Sequence, residues 1–277
     1  MYLDTRPGRD GRPNEDYVGV TFGTSARAVL LDGAGGPSEL PTGCHHGTPW
    51  YVGELGGTAL AGMRDPGTPL TTALAHAIGS VAERHELSCD PRHPGTPSST
   101  VVMLRHSAEQ VEYLVLGDST LVADVAGEIV TVCDRRIDAV GADLWKAMAA
   151  LPTGTPEHQA ARIRYVEHQR RMRNKRPDGY PIASNDPQAA YEALTGTFPA
   201  ARVRRIALLS DGATRFVEFG LGTFADALDL LDSAAPERLF DRVRAAEAGD
   251  PAGERWPRAK QRDDLAAVYL PIRRPGR

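Results

Sequence analysis

Two stretches of this sequence share one design, an unbroken apolar run that ends in Asp-Gly. The first is Arg-Ala-Val-Leu-Leu-Asp-Gly (residues 27–33) and the second Arg-Ile-Ala-Leu-Leu-Ser-Asp-Gly (residues 205–212). A strand with one face in water alternates apolar and polar residues, whereas a run without alternation is covered on both faces. The aspartate that follows, Asp32 or Asp211, then sits at the rim of a sheet, aimed by a rigid element. Glycine after it lets the backbone turn and approach a ligand with no Cβ in the way. Asp-Gly is also a common turn dipeptide, so either motif alone reads equally well as a plain turn.

The rest of the chain supplies layers to cover such strands. Short apolar or β-branched runs at 17–21 and 28–31 read as a strand pair. Runs at 99–104, 111–116, 121–124 and 128–132, with Gly117 and Gly127 at the turns, read as a β-meander, and further strands are expected at 204–210 and 265–271. Helical patterns occupy 50–63, 70–87, 212–219, 223–231 and 236–247. In the second of these, Leu70, Ala73, Leu74, Ala77, Ile78 and Val81 keep the i, i+3, i+4 rhythm of a core-facing helix. Strands in runs and helices in runs predict an α+β layered fold.

With 277 residues, 41% of them hydrophobic, the chain can bury a large core. A single domain over residues 1–277 is expected, carrying an inserted surface segment at about 143–198. That segment holds a basic helical stretch at 157–175 (Arg162, Arg164, Arg170, Arg171, Arg173, Lys175) and a short helix at 188–194. Such a helix reads first as a solvated face, and second as a surface for an acidic or phosphorylated partner.

Carboxylates brought together repel, and burying them without compensation costs several kcal/mol, so a cation is their natural partner. Oxygen donors without His or Cys select hard ions, Mg²⁺ or Mn²⁺ over Zn²⁺. Two further acidic clusters, Asn14-Glu15-Asp16 and Asp263-Asp264, precede the first strand pair and the last strand. All four clusters thus fall at strand ends, as a shared metal site requires.

Taken in order, Arg-Pro-Asn-Glu-Asp (12–16), Asp-Gly-Ala-Gly-Gly (32–36), Leu-Gly-Asp-Ser (116–119), Leu-Ser-Asp-Gly (209–212) and Arg-Asp-Asp (262–264) resemble the successive motifs of metal-dependent protein serine/threonine phosphatases of the 2C type, bacterial members included. The resemblance implies a four-layer αββα sandwich, two antiparallel sheets flanked by helices, with a binuclear Mn²⁺ or Mg²⁺ centre at one end. It implies that Asp32 bridges the metals, that the Gly33 carbonyl binds the second, that Asp211 and Asp263 bind the first, and that Glu15 and Asp16 hold metal-bound waters. Asp118 matches the ligand of a weaker third metal; a plain turn is its other reading.

The same resemblance implies attack of a metal-activated water on phosphoserine or phosphothreonine of a protein substrate. A phosphatase of small metabolites and a catalytically weak regulatory module are the alternatives. Phosphatases with an Asp nucleophile carry a second Asp two residues on, where this chain has Ala34. Ala34 also stands where some 2C-type members place a His that protonates the leaving group, leaving water, His45 or His46 for that task. The phosphate-gripping Arg is expected at position 11, which is Gly11; Arg12 is the candidate, with Arg6 and Arg9 as alternatives. Asp264 fills a slot where Asn is common, so Asp263 and Asp264 compete as ligand.

Other classes are disfavoured. A net charge of −4 from well-mixed residues predicts neither nucleic acid nor an anionic membrane as partner. Cys44, Cys89 and Cys133 are odd in number, distant and without CxxC spacing, which suggests neither a disulfide framework nor a cysteine zinc site. Residues 1–16 lack an apolar signal region and no run suffices to span a membrane, so a reducing cytoplasm is the expected setting.

Overall fold

Ten strands form two five-stranded antiparallel sheets laid face to face in the computed structural model, which describes residues 1–9, 11–23 and 25–272. In chain order come β1 (Tyr2–Arg6), β2 (Asp16–Thr21) and β3 (Ala26–Gly33), then α1 (Thr48–Gly62) and α2 (Leu70–Glu86). Four strands follow, β4 (Ser99–His106), β5 (Gln110–Leu116), β6 (Thr120–Val125) and β7 (Glu128–Val132). Next are α3 (Ala142–Ala149), α4 (Pro156–Met172), β8 (Leu194–Pro199) and β9 (Val203–Leu209). The last described elements are α5 (Asp211–Glu218), α6 (Phe224–Asp232), α7 (Arg238–Gly249) and β10 (Leu265–Pro271).

One sheet has the order β1-β10-β9-β6-β7 and the other β2-β3-β4-β5-β8. Successive side chains point to opposite faces, so each apolar run feeds two cores. Val29 and Leu31 pack with Leu55 of α1 and Ile78 of α2, whereas Ala28 and Leu30 meet Leu208 and Val268 between the sheets. Ala207 and Leu209 in turn pack with Phe216 and Phe240 of the α5–α7 layer. This is the αββα order expected, and it explains why neither Asp-Gly strand alternates in sequence. Burying one such leucine contributes about 1.5–3 kcal/mol.

Three features depart from expectation. The run from β4 to β7 is not one meander: β4 pairs with β5 and β6 with β7, but β5 and β6 belong to different sheets. The chain crosses the sandwich at Gly117, whose φ of +85° and closeness to Thr100 suit only glycine. Strands β1 and β8 were not anticipated, because each is an edge strand with little apolar pattern. Helix α3 also escaped notice, having one buried residue, Met148. Among the described residues no helix is long and apolar enough to cross a membrane.

Candidate active site

The acidic strand ends converge. Asp16 opens β2 directly opposite Asp32 near the end of β3, a registered pair in the ladder. Asp211 begins α5 just beyond β9, and its backbone N–H donates to Asp32 Oδ2 at 3.3 Å. The tip of β3 is fastened on its other side too: the Asp32 N–H donates to Thr100 Oγ1 (3.3 Å) and the Asp32 carbonyl accepts from Ser99 Oγ (2.9 Å). Gly33 donates its N–H to the Glu15 carbonyl at 3.1 Å, and a Cβ there would strike that carbonyl and the Thr48 methyl. Only glycine allows β2 and α1 to close on this turn. Asp32, Asp118, Asp211 and Asp263 line one cleft of about 560 Å³.

So many carboxylates, Asp16 and Asp263 buried and Asp32, Asp118 and Asp211 partly so, distort one another's ionisation. Burial first, then Asp264, Asp211 and Asp263, pushes the Asp16 carboxyl well above the usual range. Asp16 is 8% exposed and its buried Oδ2 has no hydrogen-bond partner. Asp32 is raised by burial, Asp211 and Asp16, and Asp211 by burial and Asp263. Burial and Asp211 push Asp118 up to about 7.

Asp263 goes the other way. Lys260 Nζ at 2.6 Å and Arg215 at 2.9 Å outweigh its burial and hold the carboxyl far below the usual range. Arg215 also donates to Glu247 at 2.5 Å, and Glu247 accepts from Arg244 at 2.7 Å, so Asp263 ends a chain of buried ion pairs. Burial disfavours the Lys260 ammonium, but Asp263, Asp211 and Asp32 overcome that and raise its pKa. Asp264, by contrast, is occupied with the backbone: it accepts the N–H of Gly8 (2.6 Å) and of Glu15 (2.7 Å), tying the entry to β2 against the start of β10.

The basic helix α4 is not merely a solvated face. Arg170 is buried and donates to the Gly35 and Pro41 carbonyls (2.6 and 3.1 Å), while Arg173 reaches those of Thr96 and Ala34 (3.0 and 3.2 Å). Both brace the loop after Asp32. Arg162 lies between the carboxylate cleft and an adjoining groove of about 800 Å³, with its buried Nε unpartnered. Arg164, Arg171 and Lys175 do face solvent. Arg9 and Arg12 line the adjoining groove, but Arg6 does not, being held by Asp241 (2.6 Å) and Asp4 (3.2 Å).

A family model of protein phosphatase 2C matches residues 5–248. The chain belongs to the protein phosphatase 2C family. As a member it is a metal-dependent protein phosphatase with Mn²⁺ or Mg²⁺ as its cofactor. No curated protein matches it by sequence. Solved structures share the fold. A bacterial serine phosphatase aligns with TM-score 0.59 and 13% identity over 98% of this chain and 97% of its own. The Staphylococcus aureus serine/threonine phosphatase Stp1 gives 0.57 and 11% over 98% and 94%. The catalytic domain of the serine/threonine phosphatase PstP, in complex with two manganese ions, gives 0.53 and 18% over 97% and 95%.

Within this 2C-type frame, His45 and His46 do not reach the cleft. Both turn towards Cys89, with His45 Nδ1 at 3.2 Å and His46 Nδ1 at 3.4 Å from its sulfur. Reasoning on sequence also missed Arg215, Lys260 and Arg162. Signals for the first two were present: Arg215 lies one helical turn after Asp211, and Lys260 three residues before Asp263. Arg162 carried no such mark, since only tertiary packing distinguishes it from the other arginines of α4.

Proposed function

We propose that this phosphatase acts on phosphoserine and phosphothreonine in proteins, with two divalent cations held among Glu15, Asp16, Asp32, the Gly33 carbonyl, Asp211 and Asp263, and a third at Asp118. The observation that carries this reading is the convergence of Asp32, Asp118, Asp211 and Asp263 in one cleft, with Asp16, its buried Oδ2 unpartnered, registered opposite Asp32. The donors are all oxygen, and their raised pKa values record repulsion that a hard cation relieves. PstP, holding two manganese ions on the same fold, supports a pair of them here. The bonding of Asp264 to backbone supports Asp263 as the ligand of the two. When bound, such ions acidify water and neutralise charge at the phosphoryl oxygens.

The chain's own residues set how substrate is met. Arg12 and Arg162 present guanidinium groups suited to two phosphate oxygens at once. Lys260, with its pKa raised, is a standing charge and donor rather than a proton-transfer acid. With Ala34 lining the cleft where a histidine acid would stand, the leaving group receives no side-chain proton there. The segment 143–198 serves within one domain as a flap whose α4 arginines hold the catalytic loop. The chain's free cysteines, Cys44, Cys89 and Cys133, fit a cytoplasmic setting, and phosphoprotein substrates a signalling role.

Mn²⁺-dependent hydrolysis of an aryl phosphate, compared with phosphopeptides and phosphorylated metabolites, tests the reading. Turnover abolished by chelation and highest kcat/KM on phosphopeptides is expected; turnover that survives chelation, or a preference for metabolites, counts against it.

The raised carboxyls give a pH signature. Their folded pKa values exceed the ordinary value of about 4, so their protonated forms stabilise the metal-free fold at low pH. That stability is lost as pH rises through the folded values, which for Asp118 means about 7. Mn²⁺ requires the ionised forms, so the Tm gain on adding Mn²⁺ should grow from pH 5.5 to 8, with affinity rising up to about tenfold per pH unit for each proton displaced. A gain independent of pH in thermal melts would contradict this.

A further inference from the structure

Away from the carboxylate cleft, four side chains with metal-binding atoms gather between the loop that leads into α1 and the end of α2. Cys44 and His46 come from the loop, His85 from the last turn of α2, and Cys89 from just beyond it. One ligand atom from each lies within 4.8 Å of all the others. We propose that Cys44, His46, His85 and Cys89 bind one zinc ion in a closed, structural site.

Ligand chemistry chooses the ion. Two sulfurs and two imidazoles suit zinc, and a tetrahedral ion at its usual bond lengths sets such atoms about 3.3–3.8 Å apart, a small contraction from the observed spread. His85 is the second, independent pointer. It is 3% exposed, and its buried Nε2 has no hydrogen-bond partner among the described residues. A buried imidazole nitrogen left unpaired costs about 1–3 kcal/mol, which a metal bond removes. A bond between the two cysteines would leave that nitrogen unpaired, and both are free thiols in the structure.

The surroundings are built for the same purpose. The Gly47 N–H donates to Cys44 Sγ at 3.4 Å, the kind of outer contact that steadies a thiolate ligand. Trp50 stacks on His46, with ring centroids 4.3 Å apart, and lies 5.5 Å from His85. Gly43, at a φ of +67°, accepts the Asp90 N–H on its carbonyl at 3.0 Å, so loop and α2 end already meet beside the four ligands. Four protein donors leave no open position, which makes the ion a staple rather than a catalyst. What it fastens is the loop whose Pro41, Thr42 and Gly47 wall the groove next to the active site. These residues are spaced as C-x-H and H-x₃-C, without a CxxC signature, on two elements that only folding brings together.

The test is metal analysis of the full chain purified without a metal-affinity resin and dialysed against a weak chelator that strips Mn²⁺. About one zinc per chain is expected in wild type, and a loss to about a tenth or less in Cys44→Ser, Cys89→Ser and His85→Gln. Because those variants could fail to fold, two wild-type measurements stand beside them. Zinc should protect Cys44 and Cys89 from alkylation until a strong chelator is added, with Cys133 as internal control. Cobalt substitution should give the intense visible bands of a tetrahedral thiolate site. Zinc-free wild type that does not take up zinc, a Cys44–Cys89 disulfide in protein kept under reducing conditions, or alkylation indifferent to chelation overturns the proposal. Phosphatase activity is not the readout, so failure of this site and failure of the proposed substrate class are distinguishable.

Discussion

Asp32→Asn is expected to lower Mn²⁺-dependent kcat/KM by about 10³-fold or more while making the metal-free protein more stable. The two effects share one cause. Desolvation of the partly buried Asp32 first, then Asp211, Asp16 and Asp263, pushes up its pKa, so its charge is a liability until a cation arrives. Asparagine is nearly the same size and retains an oxygen for the Asp211 N–H now bonded to Asp32 Oδ2. Repulsion falls while the strand end keeps its place. Loss of activity accompanied by a higher Tm in chelator therefore separates a metal ligand from a folding residue. Activity within about tenfold of wild type would remove Asp32 from the centre of the reaction.

Arg215→Met should destabilise the fold by about 3 kcal/mol, read from urea denaturation. Arg215 is 8% exposed on its side chain and bridges Glu247, which is fully buried, to Asp263. Removing the guanidinium leaves Glu247 to Arg244 and Asp263 to Lys260, each half-compensated in a dry setting. Replacing the buried pair together, Arg215→Met with Glu247→Leu, should recover much of the loss, since an apolar pair carries no desolvation cost. A single variant within about 0.5 kcal/mol of wild type would mean that the ion-pair chain does not hold Asp263.

How much of this was readable beforehand follows from the length over which each feature is encoded. The doubly buried strands were legible because burial on both faces leaves an uninterrupted run, and the aspartates at their ends came with them. Asp118 was ambiguous, because Gly117-Asp118 resembles a hairpin turn when the strands on either side look like partners; they belong to opposite sheets. The edge strands β1 and β8 left too little apolar pattern to read. Pattern does not distinguish Asp263 from Asp264, whereas their bonding differs: Asp264 accepts from two backbone amides and Asp263 from Arg215 and Lys260. Arg215, Lys260 and Arg162 matter through partners far away in sequence, and no local spacing announces a distant partner. The Cys44, His46, His85 and Cys89 cluster left no pattern for the same reason, its side chains being split across two elements.

The pairing of β1 with β10, which joins Tyr2 to Tyr269 and Arg6 to Leu265, carries a consequence for how the molecule comes into being. During synthesis β1 emerges long before its sheet neighbour β10 exists, and it waits unpaired while everything between is made. Long-range closure of this kind slows folding and prolongs exposure of an open edge. Asp16 and Asp32, in β2 and β3, lie more than 200 residues before Asp263, at the entry to β10. On the proposed assignment, Asp16 and Asp32 would wait without Asp263 until the segment leading into β10 is made, so the carboxylate set is completed only as this sheet is sealed.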